Sequence, residues 1–295
     1  MIKNGVSDAP VVAFDLEITN NFPDPERIEG QIAELQCLGG LPESIKAKKD
    51  LLVCLEEYRL LDWTEKHPGD RLGVSCIGYA TEDQDTAMDR SVCGPEDESG
   101  MYALRMPEEQ INAEIDRMYR WYQEGIYVVT WNGLGFDFRV LHQETSSPEH
   151  RAKCRFLAQR HIDLCFLFLC YKGYPTKLDK VNRAMGFAGK TEGMDGALAP
   201  VMWRTSRVDQ DKVLEYVERD AAATLELYQK AYETGGLRYE TSAGKPRILR
   251  FDPPVGHRLQ TCWDAIGGVK KPSMGWWSDG TPPSRSRSYG WTTGR

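Results

Sequence analysis

The sequence predicts an α/β domain with a mixed central sheet flanked by helices, and three observations carry that expectation. Residues 11–17 (VVAFDLE) and 126–131 (IYVVTW) are short, apolar, β-branched runs of the kind that form buried strands. Residues 209–233 set Val213, Tyr216, Val217, Ala221 and Leu225 at helical spacing, which makes a long amphipathic helix. Strands come first and then alternate with helices, the order expected of an α/β sheet.

Taken along the chain, residues 11–17 form the first strand. Residues 24–66 have helical character with a break at Gly39-Gly40-Leu41-Pro42. A second strand is expected at residues 72–80 and a third near residues 100–105. Pro107 then opens a helix to about Gln123, since proline suits a first helical turn. The strand at 126–131 ends in Asn132-Gly133 and leads into a helix holding residues 138–141. Further helices are expected at 163–171 and at 178–185, the latter stopped by Gly186. Gly235-Gly236 ends the long helix. The expected division is therefore a domain over residues 1–235, with a helical insertion at about 24–66. A basic, aromatic-rich extension follows over residues 236–295, packed on the body.

Composition narrows the function classes. With 41% hydrophobic and 27% charged residues, the chain has the balance of a globular protein. Its longest apolar stretch, residues 164–171, is far short of the roughly 20 residues that span a bilayer. No basic region followed by an apolar run opens the sequence, so the expected location is cytoplasmic, with no membrane partner. The eight cysteines are scattered without a CxxC pair, and Cys165 and Cys170 read as buried thiols. The five histidines do not cluster, so a zinc site is not expected. Residues 236–295 hold ten Lys/Arg against four Asp/Glu, a local +6, so the remainder carries −13 of a total of −7. An acidic body with a basic tail suits a carboxylate-rich metal site whose substrate is held from the side; an uneven, solvated surface fits the charges equally.

The chemistry lies in four acids and a tyrosine. Asp15 and Glu17 are two apart on a strand, so both leave the same face, and two crowded carboxylates repel unless a cation sits between them. Asp137 follows the strand that ends in Trp131-Asn132-Gly133; alone it reads as a helix N-cap. Tyr216 and Asp220 are four apart and share a helix face beside Val213 and Val217. An Asp there is costly unless paired or metal-bound, though alone it fits a solvated helix margin equally well. Together the four acids form an all-oxygen set of the type Mg²⁺ and Mn²⁺ prefer. A pair of such ions roughly 4 Å apart clamps the attacking water and the leaving oxygen of a phosphodiester.

On these motifs the sequence resembles the DnaQ-like (DEDD) 3′–5′ exonuclease superfamily, which has the ribonuclease H-like fold. The first motif is FDLE, containing Asp15 and Glu17. The second, Asn132-Gly133-Leu134-Gly135-Phe136-Asp137, is close to the NGxxFD pattern of family-B polymerase proofreading domains. The third, Tyr216-Val217-Glu218-Arg219-Asp220, has the YxxxD form of the tyrosine (DEDDy) branch; the histidine branch needs His where Glu215 stands. The resemblance spans about residues 11–232. It implies that Asp15, Glu17, Asp137 and Asp220 bind two Mg²⁺ or Mn²⁺ ions and that Tyr216 orients the attacking water. Residues 190–203 look like a loop of predicted stand-alone members, which would carry Lys190 toward a phosphate; a surface turn capped by Asp195 fits as well. Two departures stand out. About 120 residues separate Glu17 from Asp137, more than the family leads one to expect, and the excess is the stretch 24–66. No polymerase domain follows in this sequence, so proofreading in cis is not expected.

Substrate contacts are expected from Thr19, Asn132, Phe136 and Lys190, while Trp131 and Phe138 fit the core better. In the extension, Trp263, Trp276, Trp277, Tyr289 and Trp291 interleave with Lys270, Lys271, Arg285 and Arg287. That mixture suits single-stranded nucleic acid, and suits slightly better a strap whose indoles plug the body. The expected activity is metal-dependent 3′–5′ exonuclease on DNA, preferring single strands. Rivals are an exoribonuclease and a phosphodiesterase for short oligonucleotides or cyclic nucleotides. A non-catalytic nucleic-acid-binding adaptor is disfavoured, because all four acids and Tyr216 are present. Protein partners are not legible.

Overall fold

A computed structural model describes residues 10–20, 71–82, 91–172, 176–187, 196, 198–241, 244–251, 258–262 and 264–265. Five strands form a mixed sheet in the order β3-β2-β1-β4-β5: β1 (Val11–Ile18), β2 (Val74–Thr81), β3 (Ser91–Cys93), β4 (Tyr127–Thr130) and β5 (Ile162–Asp163). β1 runs antiparallel to β2, and β2 to β3, whereas β1–β4 and β4–β5 are parallel. With helices on its flanks this is the ribonuclease H-like architecture.

The alternation along β1 organises everything around it. Phe14 and Leu16 pair in register with Tyr79 and Ile77 and point to one face; Asp15 and Glu17 pair with Gly78 and Cys76 and point to the other. The apolar face is covered by α1 (Glu108–Gln123) and α2 (Asp137–Glu144). Phe14 packs 5.9 Å from Tyr79 and 5.7 Å from Phe138, and Trp121 meets Tyr79 edge-on at 5.4 Å. Phe138 is fully buried and belongs to the core, and Trp131 is half-buried against it. The opposite face receives α7 (Arg207–Thr234), which with α6 (Ala199–Trp203) builds a second apolar cluster from Cys76, Ala199, Trp203, Val213 and Val217. α7 starts where the Ser206 hydroxyl accepts from Asp209 N–H and stops at left-handed Gly235 (φ 66°).

The third strand is a correction. It is Ser91–Cys93, paired with β2, not the segment near 100–105, which contributes a single bridge between Tyr102 and Glu96. A turn intervenes because the Asp97 carboxylate accepts from the Ser99 and Met101 N–H groups. The helix expected from residue 163 instead begins one residue later, as α4 (Leu164–Lys172), with Asp163 ending β5. α5 spans Leu178–Met185 and ends at left-handed Gly186, as expected. The helix α3 (Pro148–Arg160) was not anticipated, although Ser147-Pro148 is a start signal: the Ser147 hydroxyl accepts from His150 N–H.

Within the extension, β6 (Gly236–Glu240) and β7 (Pro246–Arg250) form a hairpin. Leu237, Tyr239, Leu249, Leu259, Cys262 and Ala265 are buried in the main core. Tyr239 meets Phe168 edge-on at 5.0 Å, the Tyr171 hydroxyl donates to Gln260, and the Arg258 guanidinium lies 4.6 Å over the Tyr127 ring. The expected insertion at 24–66, Lys190, and Trp263, Trp276, Trp277, Tyr289 and Trp291 lie outside the described residues. Among the described residues no helix is long and apolar enough to cross a membrane.

Candidate active site

Three elements carry the motif acids. The first is β1 itself, with Glu17 buried and Asp15 half-buried. The second is the turn from β4 into α2. Asn132 adopts a left-handed conformation (φ 71°), tolerable for Asn, and Gly133 follows where a Cβ would fall 2.4 Å from the Thr130 hydroxyl. That tight turn starts α2 at Asp137, whose Oδ1 accepts from Leu16 N–H at 3.2 Å. The carboxylate is thereby fixed beside the backbone that separates Asp15 from Glu17.

The third element is α7. It crosses the sheet where β2 has no side chain: a Cβ on Gly78 would meet the Val217 carbonyl oxygen at 2.6 Å and its carbon at 2.8 Å. Gly78 is the register partner of Asp15, so this close approach brings the helix turn containing Tyr216 onto the acidic face. The Tyr216 hydroxyl is driven far above the ordinary phenol range, first by burial, then by the charges of Asp220 and Glu17, by its hydrogen bond to Asp220, and by Asp15. The hydroxyl thus stays protonated and donates to Asp220.

Burial and neighbouring carboxylates raise the pKa of two of the groups at this site. Burial pushes the Asp137 carboxyl above the usual carboxylate range, and the nearby Asp163 pushes the same way. The Cys76 thiol beside Glu17 is raised by burial, then by Glu17, with Asp15 adding to the effect. An all-oxygen set of carboxylates, with Glu17 and Asp137 buried and Asp15 and Asp220 half-buried, fits a hard divalent cation of the Mg²⁺ or Mn²⁺ kind.

Of the expected substrate contacts, Thr19 is buried just past the motif, and its carbonyl accepts from Arg204 Nε and Nη2 at 3.1 and 3.0 Å. Asn132 and Phe136 are half-buried at the turn. The sequence reading missed Asp163. Its carboxylate accepts from Asn132 N–H (2.9 Å), Leu134 N–H (2.9 Å) and Phe166 N–H (3.0 Å), so it both caps α4 and holds the second-motif turn. An acid directly before an apolar helical run was the available signal.

Residues 80–232 match the family model of the RNase_H superfamily, 153 of the 295 residues. The chain belongs to the RNase_H superfamily. The matched span of this RNase_H superfamily chain includes the second and third motifs and begins 63 residues after Glu17, so Asp15 and Glu17 lie outside it. No curated protein matches the chain in sequence. Among solved structures it is similar to the family B DNA polymerase from the hyperthermophilic archaeon Pyrobaculum calidifontis, at 17% identity and a TM-score of 0.43, over 76% of this chain and 24% of that one. The chain thus spans about a quarter of that polymerase.

Proposed function

We propose that the chain is a metal-dependent 3′–5′ exonuclease of the tyrosine (DEDDy) branch, which hydrolyses phosphodiester bonds from the 3′ end of DNA, single strands preferred. The observation that carries this reading is that Tyr216 lies among Asp15, Glu17 and Asp220 and bonds to Asp220, while Asp137 bonds to the Leu16 N–H between Asp15 and Glu17. Asp15, Glu17, Asp137 and Asp220 are the residues that would hold two Mg²⁺ or Mn²⁺ ions, which when bound supply Lewis acidity to the phosphodiester and acidify water. Tyr216 acts as an orienting group rather than a base, because its proton is held by Asp220. Its remaining lone pairs accept from a water and aim it. Leu16 N–H and the α2 N-terminus keep the Asp137 carboxylate aligned. Thr19, Asn132 and Phe136 are the candidate contacts for the strand end, with Lys190 as a phosphate contact. The same reading divides the chain into a nuclease domain over residues 1–235 and a C-terminal extension.

The test is digestion of DNA, RNA and dinucleotides, each labelled and blocked at one end, with Mg²⁺, Mn²⁺ or excess chelator. The expected result is stepwise loss from free 3′ ends, fastest on single-stranded DNA, that stops in chelator and in Asp15→Ala and Asp220→Ala. Full activity in chelator, or a wild-type rate in either variant, overturns the proposal. Faster digestion of RNA or of dinucleotides would move the substrate class and leave the chemistry in place.

A further inference from the structure

Outside the carboxylate face, the fold assembles three buried metal-ligating side chains from distant parts of the sequence. His161 ends α3, Asp163 lies two residues on in β5, and Cys262 arrives from the C-terminal segment. One ligand atom from each residue lies within 4.8 Å of those from the other two, and all three residues are buried. Cys262 is fixed there by its own backbone, whose N–H donates to the His161 carbonyl at 3.0 Å.

The hydrogen bonds around the trio leave one ring nitrogen of His161 open. His161 Nδ1 pairs with the Ala158 carbonyl at 2.9 Å, which places the ring proton on Nδ1 and a lone pair on Nε2. Nε2 is buried with no hydrogen-bond partner. The nearest carboxylate oxygen, Asp163 Oδ2, is 3.9 Å away, too far for a hydrogen bond. Asp163 accepts backbone N–H groups from Asn132, Leu134 and Phe166, with Cys165 adding a fourth, so its carboxylate is held rigidly beside the imidazole. Cys262 Sγ lies 3.9 Å from His161 Nδ1. A proton shared between imidazole and carboxylate would need the two atoms within hydrogen-bond reach, and 3.9 Å is beyond it.

We propose that His161, Asp163 and Cys262 form a buried site for one Zn²⁺-class transition ion, distinct from the carboxylate face. The pattern of a ring N–H given to a backbone carbonyl and the second ring nitrogen left open is that of a metal-bound histidine. Mixed nitrogen, sulfur and oxygen donors select Zn²⁺ or Co²⁺ over Mg²⁺. Tetrahedral zinc bond lengths separate neighbouring ligand atoms by roughly 3.3–3.6 Å, so the 3.9 Å between Nε2 and Oδ2 closes with a shift of a few tenths of an ångström, and a side-chain movement of about 1 Å brings in the rest of a trio whose ligand atoms lie within 4.8 Å of one another. The Phe138 ring, centred 4.6 Å from the imidazole, fixes its plane. On binding, the Cys262 thiol releases its proton to solvent and the thiolate takes the metal. The ion would tie residues 258–265 to β5 and, through Asp163, stiffen the turn that positions Asp137. The site does not depend on the nuclease reading.

The experiment is a titration of the full chain, stripped with chelator and exchanged into chelator-free buffer, with Co²⁺ alone. The expected result is a near-ultraviolet thiolate-to-cobalt absorption that saturates at one equivalent and is bleached by Zn²⁺. It should vanish in folded His161→Gln and Cys262→Ser and persist in Asp15→Asn, which alters only the other face. A wild-type chain without the band, or a band that survives Cys262→Ser, overturns the site. Where a variant folds poorly, the wild type decides by thiol alkylation mapped to Cys262. Zn²⁺ must slow the labelling at least tenfold, and unchanged labelling overturns the proposal.

Discussion

The sharpest single perturbation is Gly78→Ala, because one methyl group there pushes directly on the backbone of the helix that presents Tyr216. The added Cβ would sit 2.6 Å from the Val217 carbonyl oxygen, 2.8 Å from its carbon and 3.1 Å from Glu218 N, all backbone atoms that no rotamer change can move aside. Ordinary contact starts at 3.4 Å, so α7 must retreat by about 0.8 Å at this turn. Overpacking of this kind costs roughly 1–3 kcal/mol. For a chain of this size that corresponds to a melting temperature lower by roughly 2–12 °C. The larger effect should be on chemistry, since a misplacement of about 1 Å in a positioned group costs up to about a hundredfold in rate.

The assay pairs thermal melting with single-turnover cleavage of a 3′-accessible oligonucleotide at saturating Mg²⁺. Gly196→Ala is the control, because a Cβ there meets nothing within 4 Å and the backbone is not in the left-handed region. The expected outcome is a rate loss of roughly ten- to a hundredfold in Gly78→Ala, beyond what its melting explains, with both properties preserved in the control. A folded Gly78→Ala chain cleaving at the wild-type rate would refute the argument that close approach of α7 sets the geometry.

Tyr216→Phe should slow single-turnover cleavage about ten- to a hundredfold without abolishing it, by losing water orientation; an unchanged rate would reduce Tyr216 to a packing residue. Asp163→Asn keeps one acceptor oxygen where three N–H groups now bond, so at least one buried donor is orphaned at about 1–3 kcal/mol. Melting should fall and the rate should drop more than KM rises, and a variant equal to wild type in both would remove Asp163 from the turn's support. Asp137→Asn tests the electrostatics. Burial raises the Asp137 pKa, so in chelator the folded chain keeps a proton that the unfolded chain releases, and stability falls as pH rises from about 4 through the raised value. The wild type should therefore melt progressively lower relative to Asp137→Asn over that window, whereas a difference independent of pH would show that Asp137 titrates normally.

What the sequence made legible was whatever depends on local period. The two-residue spacing of Asp15 and Glu17 placed them on one face because strand side chains alternate without exception along regular strand. The four-residue spacing of Tyr216 and Asp220 worked for the same reason in a helix, and Gly186 and Gly235 marked helix ends because a left-handed residue stops a helix cheaply only when it is glycine. β3 was not legible, since three residues give no period to read. Asp163 was missed because its work is done on the backbone of a turn about 30 residues away, and Gly78 because its role belongs to α7 and not to its own strand. The approach of Cys262 to His161 spans 101 residues, and no spacing rule reaches that far.

The arrangement of β1 also says why core and site cannot be altered independently. Phe14 and Leu16 are locked into the aromatic core on one face, and the backbone between them presents Asp15, with Glu17 following, on the other. A slip of one residue would bury the acids in the core and turn Phe14 and Leu16 toward α7, so the register is set by apolar packing and the acids inherit it. The register shift between Glu17 and Ile18 ends this alternation directly after the second acid, and Ile18 and Thr19 are both buried. A crowd of carboxylates is unfavourable for folding by itself, and the strand that bears it is anchored by Phe14, Tyr79, Trp121 and Phe138 on the reverse side. Weakening that aromatic packing should therefore loosen the acids before it unfolds the chain, because the stabilising contacts and the destabilising charges share a single eight-residue strand.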